Sequence, residues 1–391
     1  MAGSEGRAPR VLLANHVAEI SGAENSLLTL ARHLSPRRWQ VAAAVPPGPL
    51  ASELAGLGVP VSLMPELRLA RPRGAWQAAV AYLRLRRWAT TLEVAAQELG
   101  CDLVAANSLT AGLAASIGVG RRLPLVWHAR DLRAPERSLR WLIPRATRIA
   151  AISACVADAL IDAHKAARER TVVVYNGVDT TLFRPGRARE QIRHELGIAA
   201  DALVIGNVGQ LVPWKRQDLF VEAAARIIAR VPHVRFLIVG ADLFGEHAGY
   251  VRELRALVRS LNLGERVVFT GFREDIASVM SAMDLLVHCA ENEPLGRAVM
   301  EAMSLGVPCI APDACGPAEI IEDGVSGVLV PPGDVKAMAT RAAELLRRPS
   351  AIERMGAAAR RRISETFSAE RMARLTEDLY EEALAHGSHG R

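Results

Sequence analysis

Short apolar runs alternate with helix-like patterns along the whole chain. Within residues 23–34, Leu27, Leu30, Ala31 and Leu34 follow the three- and four-residue spacing of one face of an amphipathic helix. Other apolar runs predict strands near residues 10–14, 40–45, 103–106, 125–127 and 148–152, and then near residues 203–208, 236–239, 267–270, 285–288, 309–311 and 328–330. Strands that alternate with helices predict two α/β domains, each built on a parallel sheet.

The length of the chain also favours two domains. Its 391 residues exceed what one hydrophobic core commonly supports, and half of them are apolar, as in ordinary folded proteins. Asn-Gly and Pro-Gly pairs within residues 172–186 interrupt a strand before a new helix, so we place a hinge there. The predicted domains are residues 1–178 and 179–366. Because ligands bind at the carboxyl ends of parallel strands, we expect the two sheets to face a common cleft.

Positive charge is concentrated in the first half. The formal net charge is +6, and residues 1–178 carry 22 Lys and Arg against 13 Asp and Glu. Such a surface suits a phosphate, a membrane or nucleic acid, and it also serves solubility. The basic segment from Leu67 to Leu92 contains Trp76, Tyr82 and Trp88, which suits peripheral contact with an anionic membrane as well as ordinary packing on the sheet. Only the high pI suggests nucleic acid, so we expect none to bind.

The sequence predicts neither export nor a metal. The N-terminal apolar run is too short for a signal-peptide core or a spanning helix, so we expect a cytoplasmic protein, with the inner face of the membrane as a further location. The five cysteines lack the paired spacing of a zinc site, and no Asp-x-Asp triplet occurs. We therefore expect no metal and no resident cofactor.

Two glutamates follow an apolar strand in the stretch ENEPLGRAVMEAM. Glu293 precedes a Pro-Leu-Gly turn, and Glu301 lies more than a turn into the helix that follows. The first N–H groups and the dipole of that helix favour an anion such as a phosphate. The carboxylates would not bind a phosphate, but they can accept hydrogen bonds from sugar hydroxyls. The pattern therefore suits a nucleotide-sugar, and two solvated charges are the alternative.

Several longer stretches carry a resemblance to a known family. Together with NVGQLVPWKRQDLFVEA, VVVYNGVDTTLFRPG and GVPCIAPDACGPAEIIEDGVSGVLVPPGD, the glutamate stretch resembles the retaining glycosyltransferases of the GT4 type. In the first half, the resemblance depends on ISGAENSLLTLARHL and VWHARDL. It implies the GT-B fold: two Rossmann-like parallel-sheet domains facing a cleft, the first for the acceptor and the second for the donor. Residues 367–391 would form a helix that returns to the first domain, followed by a tail.

The resemblance also implies a reaction. A sugar would move, with retention of configuration and without a metal, from a UDP- or GDP-sugar to a hydroxyl acceptor. That acceptor would be lipid-linked, a polysaccharide precursor or a small natural product.

The resemblance assigns roles at the donor. Glu293 is similar to the first glutamate of the family's E-x7-E motif, which holds hydroxyls of the transferred sugar, and Glu301 to the second, which binds the ribose. Leu295 and Gly296 would offer backbone N–H groups. Lys215 is similar to the lysine that neutralises the departing diphosphate. Lys215 and Glu293 are two of the three implied catalytic residues, and His128 is the third.

Two positions depart from the family pattern. Gln210 stands where the family commonly carries a second arginine for the diphosphate, and Arg216 and Arg297 are the candidates to replace it. A serine precedes Gly22 where the family usually shows two glycines. Gly22 still allows a backbone to approach a donor phosphate closely, so we keep it among the donor residues.

The remaining assignments concern the nucleobase and the acceptor. Phe272 and Arg273 would stack on or border the base, and a plain strand-to-helix turn is the alternative. His128 is similar to a family position near the acceptor and the reacting sugar, so it is the third implied catalytic residue. Arg130 and Asp131 are acceptor-side candidates. The alternatives are a structural histidine and a surface ion pair.

Other protein classes fit the sequence less well. A G-x-G-x-x-G turn after the first strand, as in nicotinamide dehydrogenases, is absent, and so is a P-loop. A GT-B nucleotide-sugar epimerase would bind the donor similarly but release free nucleotide. A non-catalytic sugar-nucleotide-binding protein is the other alternative.

Overall fold

The structure is a computed structural model that describes residues 7–69, 74–119, 122–132, 134–243 and 245–388. The chain divides into two compact units. The first unit comprises Met1–Gly177 and Ala369–Arg391, and the second comprises Val178–Ser368. Each contains one parallel sheet covered by helices, which confirms the predicted fold class.

The first unit has a seven-stranded sheet in the order β3-β2-β1-β4-β5-β6-β7, and every neighbouring pair is parallel. Its strands are β1 (Arg10–Ala14), β2 (Gln40–Val45), β3 (Val61–Leu63), β4 (Leu103–Ala106), β5 (Leu125–Ala129), β6 (Arg148–Ala151) and β7 (Thr171–Val173). Its helices are α1 (Gly22–His33), α2 (Pro49–Gly56), α3 (Ala75–Glu98), α4 (Leu109–Ile117), α5 (Glu136–Leu142), α6 (Ala154–Ala163) and the final helix α15 (Ala369–Ser388).

The second unit has a six-stranded parallel sheet in the order β10-β9-β8-β11-β12-β13. Its strands are β8 (Leu203–Val208), β9 (Val234–Val239), β10 (Val267–Gly271), β11 (Leu285–Val287), β12 (Cys309–Pro312) and β13 (Gly327–Val330). Its helices are α7 (Arg189–Glu195), α8 (Gln217–Ile228), α9 (Ala248–Ser260), α10 (Ile276–Ser281), α11 (Arg297–Ser304), α12 (Cys315–Ile320), α13 (Val335–Leu346) and α14 (Pro349–Thr366).

The final helix α15 packs into the core of the first unit, as the sequence predicted. Tyr380 is fully buried there, and its ring meets Trp39 edge-on at 5.3 Å between centroids. Glu377 accepts a hydrogen bond from the backbone N–H of Ser35 and forms an ion pair with Arg38 at 2.9 Å. Apolar burial and these polar contacts together join the end of the chain to its beginning.

The sequence predicted bounds for eleven strands. It indicated β7 only as the strand that precedes the Asn-Gly pair, and it did not predict β3. Both strands are three residues long, and they form the two outer edges of the first sheet. Leu63 in β3 is 62% exposed and Val172 in β7 is 40% exposed. Edge strands of this kind lack the continuous buried run that identifies central strands.

Candidate functional site

The sheet of the second unit changes its winding direction between β8 and β11. Chain connections lead from β8 outward to β10 on one side, and from β11 outward to β13 on the other. Loops that follow two such strands diverge and leave a crevice for a ligand. Lys215 follows β8 and Glu293 follows β11, so both predicted residues lie at this point. The structure brings them together, with Lys215 Nζ 2.5 Å from Glu293 Oε2.

Close packing of the strand ends positions Lys215. Gly240, directly after β9, has φ = 136°, and a Cβ there would lie 1.9 Å from the carbonyl oxygen of Gly209. Only glycine allows the ends of β8 and β9 to approach in this way. Lys215 then ends the short 3-10 turn Pro213–Lys215, with its ammonium 4.2 Å from the ring centroid of Trp214.

Glu293 is a buried and ionised carboxylate. Its side chain is 10% exposed, and that of Lys215 is 16% exposed. Burial alone would raise the pKa of Glu293, but the nearby Lys215 ammonium and the His288 imidazole outweigh burial and lower the pKa to about 2. The carboxylate is therefore a permanent hydrogen-bond acceptor at neutral pH.

His288 is a neighbour of this pair that sequence reasoning did not assign. It follows β11 directly, is 3% exposed, and its Nε2 lies 3.3 Å from Glu293 Oε2. Although this distance is short, within the described residues the buried nitrogen has no hydrogen-bond partner. A polar residue that ends an apolar strand was the available signal in the sequence.

Glu301 lies on helix α11 and is 9% exposed. Its Oε1 accepts a hydrogen bond of 2.5 Å from Arg297 Nε, one turn earlier on the same helix. Gly296 precedes the helix with φ = 105°. Among the described residues, the backbone N–H groups of Leu295 and Gly296 donate no hydrogen bond to a protein atom. These groups are available for an anion at the helix N-terminus.

Gly316 on α12 fixes the loop that carries Glu293. A Cβ on Gly316 would lie 2.1 Å from the Cα of Leu295, so only glycine fits against this loop. The Gly316 N–H donates to the carbonyl oxygen of Glu293 at 3.1 Å. The stretch CGPAEI carries part of the family resemblance, but the sequence alone did not predict this contact.

The candidate substitutes for the second arginine are both ion-paired. Arg216 binds Asp218 at 3.0 Å and Glu291 at 3.2 Å. Its φ of 54° turns the chain from the Lys215 loop into α8. Gln210 contributes its backbone carbonyl to Gln217. That Arg216 or Arg297 binds the diphosphate in place of the second arginine stays a prediction.

The residues predicted for the nucleobase follow β10. Phe272 is 61% exposed. Arg273 forms ion pairs with Asp275 at 2.7 Å and with Glu195 at 2.5 Å. Near the ends of β9 and β10, a cavity of about 340 Å³ is lined in part by Gly240 and Gly271. The stacking roles of Phe272 and Arg273 stay predictions.

The first unit has a corresponding switch point between β1 and β4, which was not predicted from the sequence. Asn15 directly follows β1 and Asn107 directly follows β4, and Asn107 Nδ2 donates to Asn15 Oδ1 at 3.1 Å. One residue further along each loop, His16 Nδ1 lies 2.9 Å from Ser108 Oγ. Burial lowers the pKa of His16, which favours the neutral imidazole. Polar residues directly after apolar strands were again the signal.

Gly22 begins α1 beside this switch point. Glu24 accepts hydrogen bonds from the backbone N–H of Ser21 at 3.1 Å and from Asn15 Nδ2 at 3.2 Å, which fixes the start of the helix. A Cβ built on Gly22 would meet no atom within 4 Å. The space beside this backbone is therefore open, as close approach of a ligand requires.

The acceptor-side candidates take different positions in the first unit. His128 lies inside β5, is 7% exposed, and its Nε2 is 3.0 Å from the hydroxyl of Tyr380. Burial, reinforced by Arg130, lowers the pKa of His128 to about 3. Arg130 donates to Asn107 Oδ1 at 2.8 Å and to Asn176 Oδ1 at 2.8 Å, while Asp131 is exposed. Their roles at an acceptor stay predictions.

Helix α3 contains most of the segment predicted for membrane contact, of which residues 70–73 lie outside the described residues. Trp88 is buried, and its Nε1 donates to the carbonyl oxygen of Pro65 at 3.0 Å. Trp76 is 80% exposed and Tyr82 is 45% exposed. The three aromatic residues therefore divide into one structural anchor and two surface residues. No helix in the described part of the chain is long and apolar enough to cross a bilayer.

Both halves of the chain match family models. Residues 20–182 match Glycosyltransferase Family 4, and residues 188–362 match Glycosyl transferases group 1. The chain is 29% identical to N-acetyl-alpha-D-glucosaminyl L-malate synthase of Bacillus anthracis, covering 56% of this chain and 55% of that protein. It is 33% identical to D-inositol 3-phosphate glycosyltransferase of Mycolicibacterium smegmatis, covering 57% and 52%. The chain thus spans about half the length of these curated relatives.

Solved structures are similar over nearly the whole chain. Anabaena HepE in complex with UDP gives a TM-score of 0.81 at 28% identity, covering 95% of this chain and 99% of that one, and the same values hold for its complex with UDP-glucose. Sucrose-phosphate synthase of Thermosynechococcus elongatus shares the fold, with a TM-score of 0.79 at 20% identity over 97% of this chain and 100% of that one.

Two Rossmann-like units, with a lysine–carboxylate pair and a helix N-terminus at the second switch point, define a GT-B protein. The chain belongs to the GT4-type glycosyltransferase family, as the sequence predicted.

Proposed function

We propose that this protein is a metal-independent, retaining glycosyltransferase that moves a sugar from a UDP-sugar to a hydroxyl acceptor. The observation that carries the proposal is the contact of Lys215 with Glu293 beside the N-terminus of α11. A cation, free N–H groups and an ionised carboxylate together match the diphosphate and hydroxyls of a nucleotide-sugar. UDP is preferred to GDP because the similar Anabaena HepE structures contain UDP and UDP-glucose.

Lys215 and the start of α11 would stabilise the departing diphosphate. Negative charge grows on the leaving oxygen as the glycosidic bond breaks, and a fixed ammonium and backbone N–H groups stabilise such charge without a metal. The acceptor hydroxyl would approach on the face from which the diphosphate leaves, and a diphosphate oxygen would take its proton. This course retains the configuration of the sugar.

The two glutamates would bind hydroxyls and take no part in hydrolysis. Glu293 would accept hydrogen bonds from the transferred sugar. Glu301 would accept them from the ribose, in place of the hydrogen bond that it accepts from Arg297 Nε. Arg297, which donates to Glu301 from one turn earlier on the same helix, is then a candidate to bind the diphosphate. The first unit would supply contacts to the acceptor, with His128 and Arg130 as candidates.

The glutamate roles can be separated by experiment. Glu293→Gln should retain UDP affinity but abolish transfer from UDP-glucose, because the amide keeps the size and loses the charge. Glu301→Ala should weaken UDP affinity about 10- to 100-fold, since a hydrogen bond to a charged group contributes roughly 1.5–3 kcal/mol. Glu291→Gln, in the same loop, is the control.

Isothermal titration with UDP and GDP measures affinity, and release of UDP with and without candidate acceptors measures turnover. Unaltered UDP affinity in Glu301→Ala together with unaltered turnover in Glu293→Gln would refute the assignment. Isomerised sugar and free UDP, without a new glycoside, would identify an epimerase instead. Binding of UDP-glucose without any turnover would identify a binding protein.

We also propose that α3 contacts an anionic membrane surface. Trp76, Val80 and Leu83 recur at the spacing of one helix face and are 80%, 38% and 56% exposed. Arginines at positions 84, 86 and 87 follow them, and no acidic residue occurs in α3 before Glu93. Exposed apolar residues beside arginines are typical of helices that lie in a bilayer interface. A lipid-linked acceptor would be available at that surface.

Vesicle sedimentation tests this contact. The protein should bind vesicles that contain phosphatidylglycerol, bind pure phosphatidylcholine weakly, and lose binding in Trp76→Glu/Leu83→Glu. Val94→Glu places one glutamate on an exposed position of the same helix and should retain binding, as a control for each of Trp76→Glu and Leu83→Glu taken singly. Equal binding of the native chain and the double variant would contradict the proposal.

A further inference from the structure

His288 is the most unusual polar group near the proposed donor site. It is 3% exposed, it directly follows β11, and its backbone N–H donates to the carbonyl oxygen of Ile310 at 2.8 Å. The backbone of this residue is therefore fixed within the sheet. Within the described residues its Nε2 has no hydrogen-bond partner, although buried polar groups nearly always have one. An apolar side chain would avoid this loss, so the imidazole calls for an explanation.

The position of His288 Nε2 explains why an imidazole is buried here. It lies 3.3 Å from Oε2 of Glu293, and the same oxygen receives Lys215 Nζ at 2.5 Å. One carboxylate oxygen is thus approached by two potential donors, of which only Lys215 makes a well-formed hydrogen bond. A modest rotation of the imidazole or the carboxylate would align the second.

A bound nucleotide-sugar would compete with Glu293 for the Lys215 ammonium. Under the proposed function, on which this inference rests, the ammonium must stabilise the negative charge of the diphosphate. As Lys215 turns toward the diphosphate, Glu293 loses its only well-formed side-chain hydrogen bond among the described residues. A buried carboxylate without a donor would take up a proton or move, and in either case it would no longer accept hydrogen bonds from the sugar.

We propose that His288 is a positioning residue that takes over from Lys215 as the donor to Glu293 when a nucleotide-sugar binds. Its Nε2–H then holds the carboxylate in place while Lys215 binds the diphosphate. This role requires the proton on Nε2, and it places no bond between His288 and the substrate. It explains why a histidine whose Nε2 has no hydrogen-bond partner among the described residues occupies a buried position.

Kinetics with UDP-glucose test the proposal. His288→Leu removes the N–H, whereas His288→Gln keeps an N–H donor at a similar reach. We expect kcat/KM for UDP-glucose to fall at least about 30-fold in His288→Leu and to recover to within about 5-fold of the native value in His288→Gln. UDP carries the diphosphate that draws Lys215 away from Glu293, so the Kd for UDP should rise in His288→Leu and stay within about 2-fold of the native value in His288→Gln. Ser278→Ala removes hydrogen bonds to Gly186 and Arg187 and is a control for lost stability alone.

A native kcat/KM in His288→Leu overturns the inference, and so does an equal loss of kcat/KM in the leucine and glutamine variants. A similar loss in Ser278→Ala would show a general effect of stability and would also overturn it.

A measurement without substrate separates this inference from the proposed function. Lys215→Met imitates the departure of the ammonium, so His288 becomes the remaining donor to Glu293. His288→Leu should therefore lower the urea midpoint of unfolding more in the Lys215→Met background than in the native chain. Equal shifts in both backgrounds overturn the inference. If the larger shift is found but UDP-glucose neither binds nor reacts, the proposed function fails while the exchange of donors stands.

Discussion

The ionisation of Glu293 predicts a pH-dependent contribution to stability that one substitution can isolate. Its pKa is lowered from 4.5 to about 2 in the folded protein, against burial, by Lys215 and His288. Since each pKa unit corresponds to about 1.4 kcal/mol, the ionised carboxylate contributes about 3 kcal/mol at neutral pH. The folded-state pKa lies below the unfolded one, so this contribution is complete above the unfolded value and is lost as the pH falls toward 2.

Glutamine at position 293 cannot titrate, so its comparison with the native chain reports this loss. Glu293→Gln leaves Lys215 without its carboxylate at every pH, which adds a constant term. We expect the native chain to be more stable than Glu293→Gln at about pH 6, and this advantage to shrink by roughly 1–1.5 kcal/mol at about pH 3.5.

Urea unfolding followed by circular dichroism measures both free energies of unfolding. Glu291→Gln removes a carboxylate that is 35% exposed in the same loop and controls for the change in net charge. Its stability relative to the native chain should change by less than about 0.5 kcal/mol between the two pH values. If the gap for Glu293→Gln is equally independent of pH, Glu293 is not the buried ionised group that the site requires.

Two further predictions concern packing around the candidate residues. Gly316→Ala should lower the free energy of unfolding by about 1–3 kcal/mol and weaken UDP binding, because its Cβ would overlap Leu295; urea unfolding and calorimetry measure both effects. Gly249→Ala is the matched control, since its Cβ would meet nothing closer than 4.0 Å, and a loss as large as that of Gly316→Ala would contradict the explanation. Tyr380→Phe should cost about 1–3 kcal/mol, because it leaves His128 Nε2 buried without its partner; unchanged urea unfolding would show that this hydrogen bond is dispensable.

The sequence predicted the central strands and the order of the elements because those strands are continuous apolar runs. It also placed Lys215 and Glu293 after two strands, although only the sheet order showed that those strands are adjacent. The strand pairing is set by contacts between residues far apart in the chain, which a local pattern does not contain.

The finer features of the site depend on contacts at the scale of single atoms. In the sequence, His288 is only the polar residue at the end of an apolar strand. The structure shows that its Nε2 lies beside the Glu293 carboxylate. Gly316 has no local requirement for glycine, and its need arises from the Leu295 backbone that packs against it. Similarly, Trp76 and Trp88 lie in the same basic, aromatic segment of the sequence. Only the structure shows that Trp76 is exposed and that Trp88 is buried.

Because α15 belongs to the first unit, the first unit cannot finish folding until after the second unit has been synthesised. The second unit is one continuous stretch, Val178–Ser368, so its chain is complete before the final helix leaves the ribosome. The first unit must wait for Tyr380 and its neighbours, because they fill part of its interior. The half that is translated first thus needs the segment that is translated last, and a chain truncated after residue 368 would contain the whole second unit but an incomplete first one.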